Sequence, residues 1–538
     1  MSVVVEPGAK QEPHVPVDRK QAPPSPGPWP AVAGLLAAAV GLSIGELWAG
    51  LFGGAGPVVI VGDRVIDGVP RAVKKFAINT FGTNDKLALI IGILVLVAIY
   101  SMWIGTRAYR RFADGVVGIV GFAVVGIAAA VTGRSPKASE LLPVMAAAVA
   151  ALGVLWVLLA RRVPKRSTRA ATATAGQVAQ PSVDGFDRRR FLVTGAGLAG
   201  TAVVAGTVGR NMQGGSKAIA KRKTLRLPKP KQSLPAVNVA AQADVPNMTP
   251  FITQNASYYR IDTALVVPRI DVSNWALNIT GLVDKPIRLT YDDLLSRPLV
   301  EHDCTLMCVS NEIGGDLIGN ARWLGVRLAD VLKEAGVKSS ADQVFSTSVD
   351  GFTAGFPVSV ALDGREALIA VGMNGEPLPF RHGYPARLVV PGIYGYVSAV
   401  KWLSEIKLTR FDQDYGYWIP RGWAQLAPIK TGSRIDVPGR GDVPAGRAAI
   451  AGIAWAQHRG ISKVEVQVDD GPWQNAELAA DGGIDTWRQW KLAWDARPGR
   501  HRVRVRATDV NGALQPEQRT DVAPDGATGW HEIAVRVV

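Results

Sequence analysis

The stretch HDCTLMCVSNEIGG, residues 302–315, holds both cysteines of the chain, Cys304 and Cys308, with His302 two positions before the first. Three readings compete: a disulfide, part of a zinc site, or a thiolate that ligates something larger. A disulfide does not suit the spacing. In a strand the two positions share a face but lie about 13 Å apart, and a single helical turn rarely offers the required Cβ geometry. Zinc would take His302, Cys304 and Cys308, yet a closed structural site needs a fourth ligand with no evident source. A buried, inert thiol is the bland alternative for either cysteine.

The chain around this stretch is too long for one core. Its 538 residues should divide into three or four units. Lys and Arg number 60 against 45 acidic residues, a net charge of +15. The excess lies mainly between residues 161 and 231 and not along a face with interleaved aromatics, which speaks against a nucleic-acid partner. Two cysteines cannot build a disulfide framework.

Residues 1–28 are Pro-rich and polar and read as a disordered tail. Between residues 29 and 160 four apolar runs, 31–52, 87–104, 116–131 and 141–159, each approach the length of a membrane-crossing helix and lack a polar face. Glu46 is the one carboxylate inside the first. Arg107, Arg110 and Arg111 follow the second run, and Arg161, Arg162, Lys165, Arg166 and Arg169 follow the fourth. Positive charge on the inner side then sets a cytoplasmic N-terminus and a basic cytoplasmic linker over residues 161–190. The loop over residues 54–86 falls outside, and VPRAVKKFAINTF within it reads as a short interfacial helix.

A fifth hydrophobic segment, residues 191–209, is led by Arg188 and Arg189, one intervening residue, then Phe191 and Leu192. This resembles a twin-arginine export signal, the alternative being an ordinary fifth membrane helix with basic flanks. Four crossings return the chain to the cytoplasm, where such a signal is read. The chain beyond this segment is therefore expected outside the cell membrane, although the linker over residues 210–245 is again basic and runs against the charge rule.

Beyond it, short apolar strands such as ALNITGLV alternate with helical patterns such as RLADVLKEAG, an α+β domain over residues 246–412. A connecting segment, 413–446, leads to alternating strands (KVEVQVDDGPW, RQWKLAW, HRVRVRATDVNG) over residues 447–538, read as an immunoglobulin-like β-sandwich.

CTLMCVSNEIGGDLIGNARWLGVRLADVL, followed by NGEPLPFRHGYPARLVVPGIYGYVSAVKWLSEIKLT, resembles the molybdopterin-binding domain of the sulfite oxidase family. ASYYRIDTALVVPRIDVSNWALNITGLV looks like its opening segment, and the last hundred residues look like its C-terminal dimerisation domain, which implies a homodimer. The resemblance covers roughly residues 250–538 and not the membrane part. It implies a molybdenum–molybdopterin cofactor with Cys308 as the single protein ligand to the metal. Soft thiolate suits that metal beside the pterin's dithiolene sulfurs. Cys304 is then left as a packed free thiol.

The same resemblance implies cofactor contacts from Tyr258, Tyr259, Arg260, Asp350, His382, Arg387, Ser398 and Lys401. Arg387 suits a phosphate because guanidinium donates two bonds side by side. Read alone, Lys401 is more often a solvated lysine and His382 a satisfied loop histidine. Arg260 matches a substrate-side arginine. Tyr415 and Tyr417 are candidates for the family's active-site tyrosine, and Tyr417 is taken with Cys308 and Arg260 as the catalytic set. The sequence departs from the sulfite enzymes after Cys308, where Val309, Ser310, Asn311, Glu312 and Ile313 supply no arginine. A pocket with fewer cations holds a doubly charged oxyanion less well.

The implied reaction is oxygen-atom transfer at a small substrate, sulfite-oxidase-like, with a sulfoxide or oxo-donor reductase as the alternative. A non-catalytic, membrane-tethered interaction module is a rival from another class. The histidines are His14, His302, His382, His458, His501 and His531, so the apolar runs hold none for bis-histidine haem ligation. Two cysteines cannot supply an iron–sulfur cluster either. Electrons are expected to pass to a separate protein or quinone, with membrane lipid as the remaining partner.

Overall fold

The computed structural model describes residues 27–52, 54–70, 73, 76–77, 80–81, 84–134, 138–160, 188–212 and 215–538. The disordered tail expected over 1–28 and the linker over 161–190 fall almost wholly outside these residues. So does much of the interfacial helix expected within 69–81.

The N-terminal region is helical: α1 (Trp29–Phe52), α2 (Pro57–Gly68), α3 (Asp85–Arg110), α4 (Phe112–Val131), α5 (Leu141–Leu155), α6 (Arg188–Met212) and α7 (Gly215–Thr224). Among the described residues five helical stretches are long and apolar enough to cross a membrane, as four runs plus a fifth segment predict. Their exposed faces carry Leu94, Leu96, Val117, Val125 and Val149, which suits contact with lipid. In the bundle α1 is central, packed against α3, α5 and α6. Glycine makes the close crossing possible: a Cβ at Gly34 would strike the Ser101 carbonyl and the backbone of Gly105.

Sheets begin after residue 275. The strands are β1 (Ala276–Gly281), β2 (Ile287–Thr290), β3 (Val300–Met307), β4 (Ile318–Arg327), β5 (Gln343–Ser348), β6 (Thr353–Pro357), β7 (Leu368–Met373), β8 (Glu376–Pro377), β9 (Arg387–Val389) and β10 (Leu403–Thr409). One sheet has the order β2-β1-β10-β5-β6, the other β3-β4-β7-β8 with β9 on β7. Among the described strands of these two sheets, only β1 and β10 pair in parallel. Short helices join them where the sequence calls for it. A capping box, Thr290 with Asp293, starts the helix Tyr291–Ser296, and Gly336 at φ 69° ends Leu328–Ala335. The strand β3 is buried from Asp303 onward, so Cys304 lies wholly inside the core.

Two more sheets face each other around a core of Ile450, Val466, Trp490 and Val503. They are built from β11 (Gly432–Val437), β12 (Asp442–Val443), β13 (Gly446–Trp455), β14 (Ile461–Val468), β15 (Gln474–Asn475), β16 (Glu477–Leu478), β17 (Arg488–Ala496), β18 (Gly499–Asp509) and β19 (His531–Val537). The segment 413–446, read as a connection, is corrected in part. Its second half supplies β11 against β13 and β12 against β19. Those strands are short and broken by Pro438 and glycines, so alternation did not reveal them. Trp455, Trp487, Trp490 and Trp494 are buried in the chain's own cores.

Candidate active site

Cys308 stands one residue beyond β3, where the chain leaves the sheet and its backbone N–H donates to the Leu317 carbonyl at 3.0 Å. It opens into a cavity of about 130 Å³ lined by Tyr258, Tyr259, Asp262, Cys308, Asp350, Arg387 and Lys401, with Tyr396, Trp418 and Trp423 among the further walls. Four elements converge there. Arg387 opens β9, Lys401 precedes β10, Asp350 sits in the turn between β5 and β6, and the 258–262 segment crosses in front. Residues up to 143 positions apart in the sequence thus meet at one thiol, whose burial pushes its pKa up. A metal would reverse that shift.

The charges divide unevenly. Arg387 is buried, and its guanidinium has only long bonds, 3.3 Å to the Leu388 and His382 carbonyls and 3.4 Å to that of Ala399, beside the face of Trp323. No carboxylate is paired with it among the described residues, and burial pulls its pKa down. A buried cation held this loosely suits an anionic group. Asp350 Oδ2 is likewise buried with no hydrogen-bond partner, an acceptor suited to ring N–H donors. Cys308, the orphaned Asp350 oxygen and the unmatched Arg387 fit a phosphate-bearing pterin with a metal at its sulfurs.

Lys401 is already partnered. Its ammonium reaches Asp262 Oδ2 at 2.9 Å, and burial lowers its pKa to about 8 against the pull of that carboxylate. Asp262 also accepts from Arg260 at 2.8 Å and from Lys86 at 2.7 Å. Burial alone would raise the Asp262 pKa, but the Lys401 and Lys86 charges and the Arg260 bonds hold it far below the usual carboxylate range.

Other candidate residues lie outside the lining. The His382 Nε2 is 2.9 Å from the Asn255 carbonyl, to which it donates, and burial keeps the ring neutral down to about pH 4. Ser398 is fully buried and donates to the Tyr394 carbonyl at 3.0 Å. The Tyr417 hydroxyl does not face Cys308. It donates to Asp67 Oδ1 of α2 at 2.6 Å, and burial followed by that bond raises its pKa to about 12. Sequence reading missed Asp262, although it lies inside the quoted YYRIDT. It missed Lys86 and Arg134 because nothing local marks them.

Those two residues tie the N-terminal helical region to the pocket. Lys86, in the first turn of α3, donates to the Asp262 carbonyl at 2.9 Å and that of Ala264 at 2.6 Å. Arg134, just beyond α4, donates to Asp67 at 2.9 Å and to Thr263 Oγ1 at 2.7 Å, and lies over the Tyr417 ring. Gly62 of α2 lies against the end of the Leu265 side chain, which would have to shift for a Cβ there.

These features define a molybdopterin-binding oxidoreductase, and the comparisons agree. Residues 264–418 match the family described as oxidoreductase molybdopterin binding domain. The chain is 36% identical over 153 residues to the uncharacterized oxidoreductase YuiH of Bacillus subtilis (strain 168), covering 28% of this chain and 74% of that one. Mitochondrial sulfite oxidase of Mus musculus is 30% identical over 344 residues, covering 54% of this chain and 62% of that one. Nitrate reductase (NADH) of Hordeum vulgare is 28% identical over 333 residues, 50% of this chain and 36% of that one. The chain belongs to the sulfite oxidase family of molybdopterin-dependent oxidoreductases and is an enzyme. It spans about three-fifths of the length of the mammalian sulfite oxidase it matches. The rival reading as a non-catalytic module is thereby set aside.

Proposed function

We propose that this protein is a membrane-anchored enzyme that moves an oxygen atom to or from a small substrate, facing away from the cytoplasm. The observation that carries this is the convergence of Cys308, Asp350 and the unmatched Arg387 on one cavity. When bound, the molybdenum–pterin group supplies two-electron oxygen-atom transfer. Cys308 would hold the metal. Arg387 and Lys401 would hold the anionic tail, Asp350 would accept from the ring, and Tyr258 and Tyr259, kept neutral by burial, would close one side. Arg260 would attract the substrate. His382 would act as a donor-fixed support for the Asn255 loop, and Ser398 as a support for Tyr394.

The sulfoxide-type alternative draws on one observation: aromatic Tyr396, Trp418 and Trp423 wall the cavity, while the arginine pair after Cys308 is missing. Elemental analysis for molybdenum, followed by turnover with sulfite and sulfoxides, tests both readings. Absence of metal and pterin would defeat them together.

Sidedness follows the charges. The start of α3 and the end of α4 meet the catalytic domain at one end of the bundle, while Arg107, Arg110 and Arg111 lie at the other. That supports export led by Arg188 and Arg189. Lysine at both positions should strand the domain, protease-protected, in the cytoplasm. A homodimer through the immunoglobulin-like sandwich rests on the family likeness, and a concentration-independent monomer in light scattering would refute it. Electrons would leave to a separate protein or a quinone.

A further inference from the structure

The membrane helices do more than anchor. Their outer loops touch the pocket-lining segment 261–263 at two independent places, one through Lys86 and one through Arg134. Asp262 is the shared element. One carboxylate, 6% exposed at its side chain, faces three cations: Lys401 and Arg260 from the catalytic domain, and Lys86 from the membrane module. Three cations around one anion leave the group with a net positive charge, and Lys86 provides one of its members.

We propose that the membrane module completes the active site, with Lys86 as a positioning residue that sets how strongly Asp262 neutralises Lys401 and Arg260, and thus how well the pocket holds an anion. With Lys86 in place three cations face one carboxylate; without it two do, and the group presents less positive potential to the cavity. The effect is large for a buried group, since charges there are weakly screened. Lys86 therefore supplies, from another module, some of the positive field lost with the arginines absent after Cys308.

This rests on the oxygen-atom-transfer reading, but its test does not need turnover. Full-length, cofactor-loaded protein in detergent is titrated with inorganic sulfate as an anionic probe and dimethyl sulfoxide as a neutral one, followed by visible absorption. Lys86→Gln keeps hydrogen-bond donors but removes the charge, and Lys86→Arg keeps both. The expected result is that Lys86→Gln weakens sulfate about 10-fold relative to dimethyl sulfoxide, a difference of about 1.4 kcal/mol, while Lys86→Arg restores the ratio. Equal weakening of both probes, an unchanged ratio, or no sulfate binding by the parent protein overturns the proposal. If Lys86→Gln loses its cofactor, Lys86→Arg decides. Restored loading with a parental sulfate ratio upholds the charge role, and any other ratio overturns it. Failure of every substrate to turn over would defeat the reaction reading instead, with the probe ratio still measurable.

Discussion

The inner and outer walls of the cavity handle charge in opposite ways. On the inner wall Arg387 is buried beside Trp323 with three long carbonyl contacts and no carboxylate. On the outer wall every cation has a close anion: Lys86, Arg260 and Lys401 share Asp262, and Arg134 grips Asp67. A buried cation whose carboxylate lies within 2.9 Å is fixed in place before any ligand arrives. A buried cation left unmatched is a place for a ligand. The difference separates the cofactor's seat from the wall that frames it.

The sharpest way to break this comparison starts with the thiol that faces the inner wall. Cys308→Ser is expected to lower turnover by about 1000-fold or more while pterin content persists, because a hard, protonated hydroxyl replaces a soft thiolate. Parental activity in that variant, measured beside its pterin content and visible spectrum, would end the ligand assignment.

Arg387→Met tests the unmatched cation. Pterin content should fall at least about 10-fold in a folded protein, since a charge-assisted contact of this type is worth about 1.5–3 kcal/mol. Full retention of pterin would show that the inner wall has no anion to hold.

On the outer wall, Arg134→Met leaves the Asp67 carboxylate, 4% exposed, without its ion partner. Removing one member of such a pair costs about 3–5 kcal/mol. The loss should appear as faster hydrogen exchange in residues 262–265, with pterin content retained. Loss of pterin as well would merge the two walls into one function.

A weaker effect concerns His531, whose Nδ1 accepts from the Ile435 N–H at 2.9 Å beside Gly314 of the Cys308 loop. Burial lowers its pKa to about 4, so the folded state resists protonation while the unfolded state takes a proton near 6.5. Stability from this group is full above about 6.5 and is lost as pH falls toward 4, at most about 3 kcal/mol. His531→Gln should flatten that part of the stability–pH curve in denaturant titrations. An unchanged slope would remove His531 as its source.

The smallest change is expected at Cys304. Fully buried in β3 among core hydrophobics, its thiol donates to the Thr305 carbonyl at 3.7 Å. Cys304→Ser should cost about 1 kcal/mol and leave turnover near parental, in contrast to Cys308→Ser. A dead Cys304→Ser variant would reverse the roles of the two cysteines.

Much of the fold was legible because its signals are local. The apolar runs of α1, α3, α4 and α5 are continuous in sequence, and β14, β17 and β18 each run eight or more residues, with β18 alternating along most of its length. The strands β11 and β12 were missed because they are short and find their partners 14 or more residues away. At the site, motifs carried Cys308, Asp350, Arg387 and Lys401 to one cavity. Tyr417 sits in a motif too, yet its hydroxyl is committed to Asp67, a residue 350 positions distant that no motif includes.

The sequence by itself determined the long apolar helices, the sheet-forming stretches that follow them and the thiol that faces the cavity. Periodicity, charge placement and short ordered motifs are written residue by residue along the chain. Only the tertiary structure decided that Arg387 lacks a counter-ion among the described residues, that Asp262 has three, and that one of these comes from the N-terminal helical region. Such facts depend on the distances among Lys86, Asp262 and Lys401, residues up to 315 positions apart. Electrostatic energy falls with separation in space, and separation in sequence does not specify it.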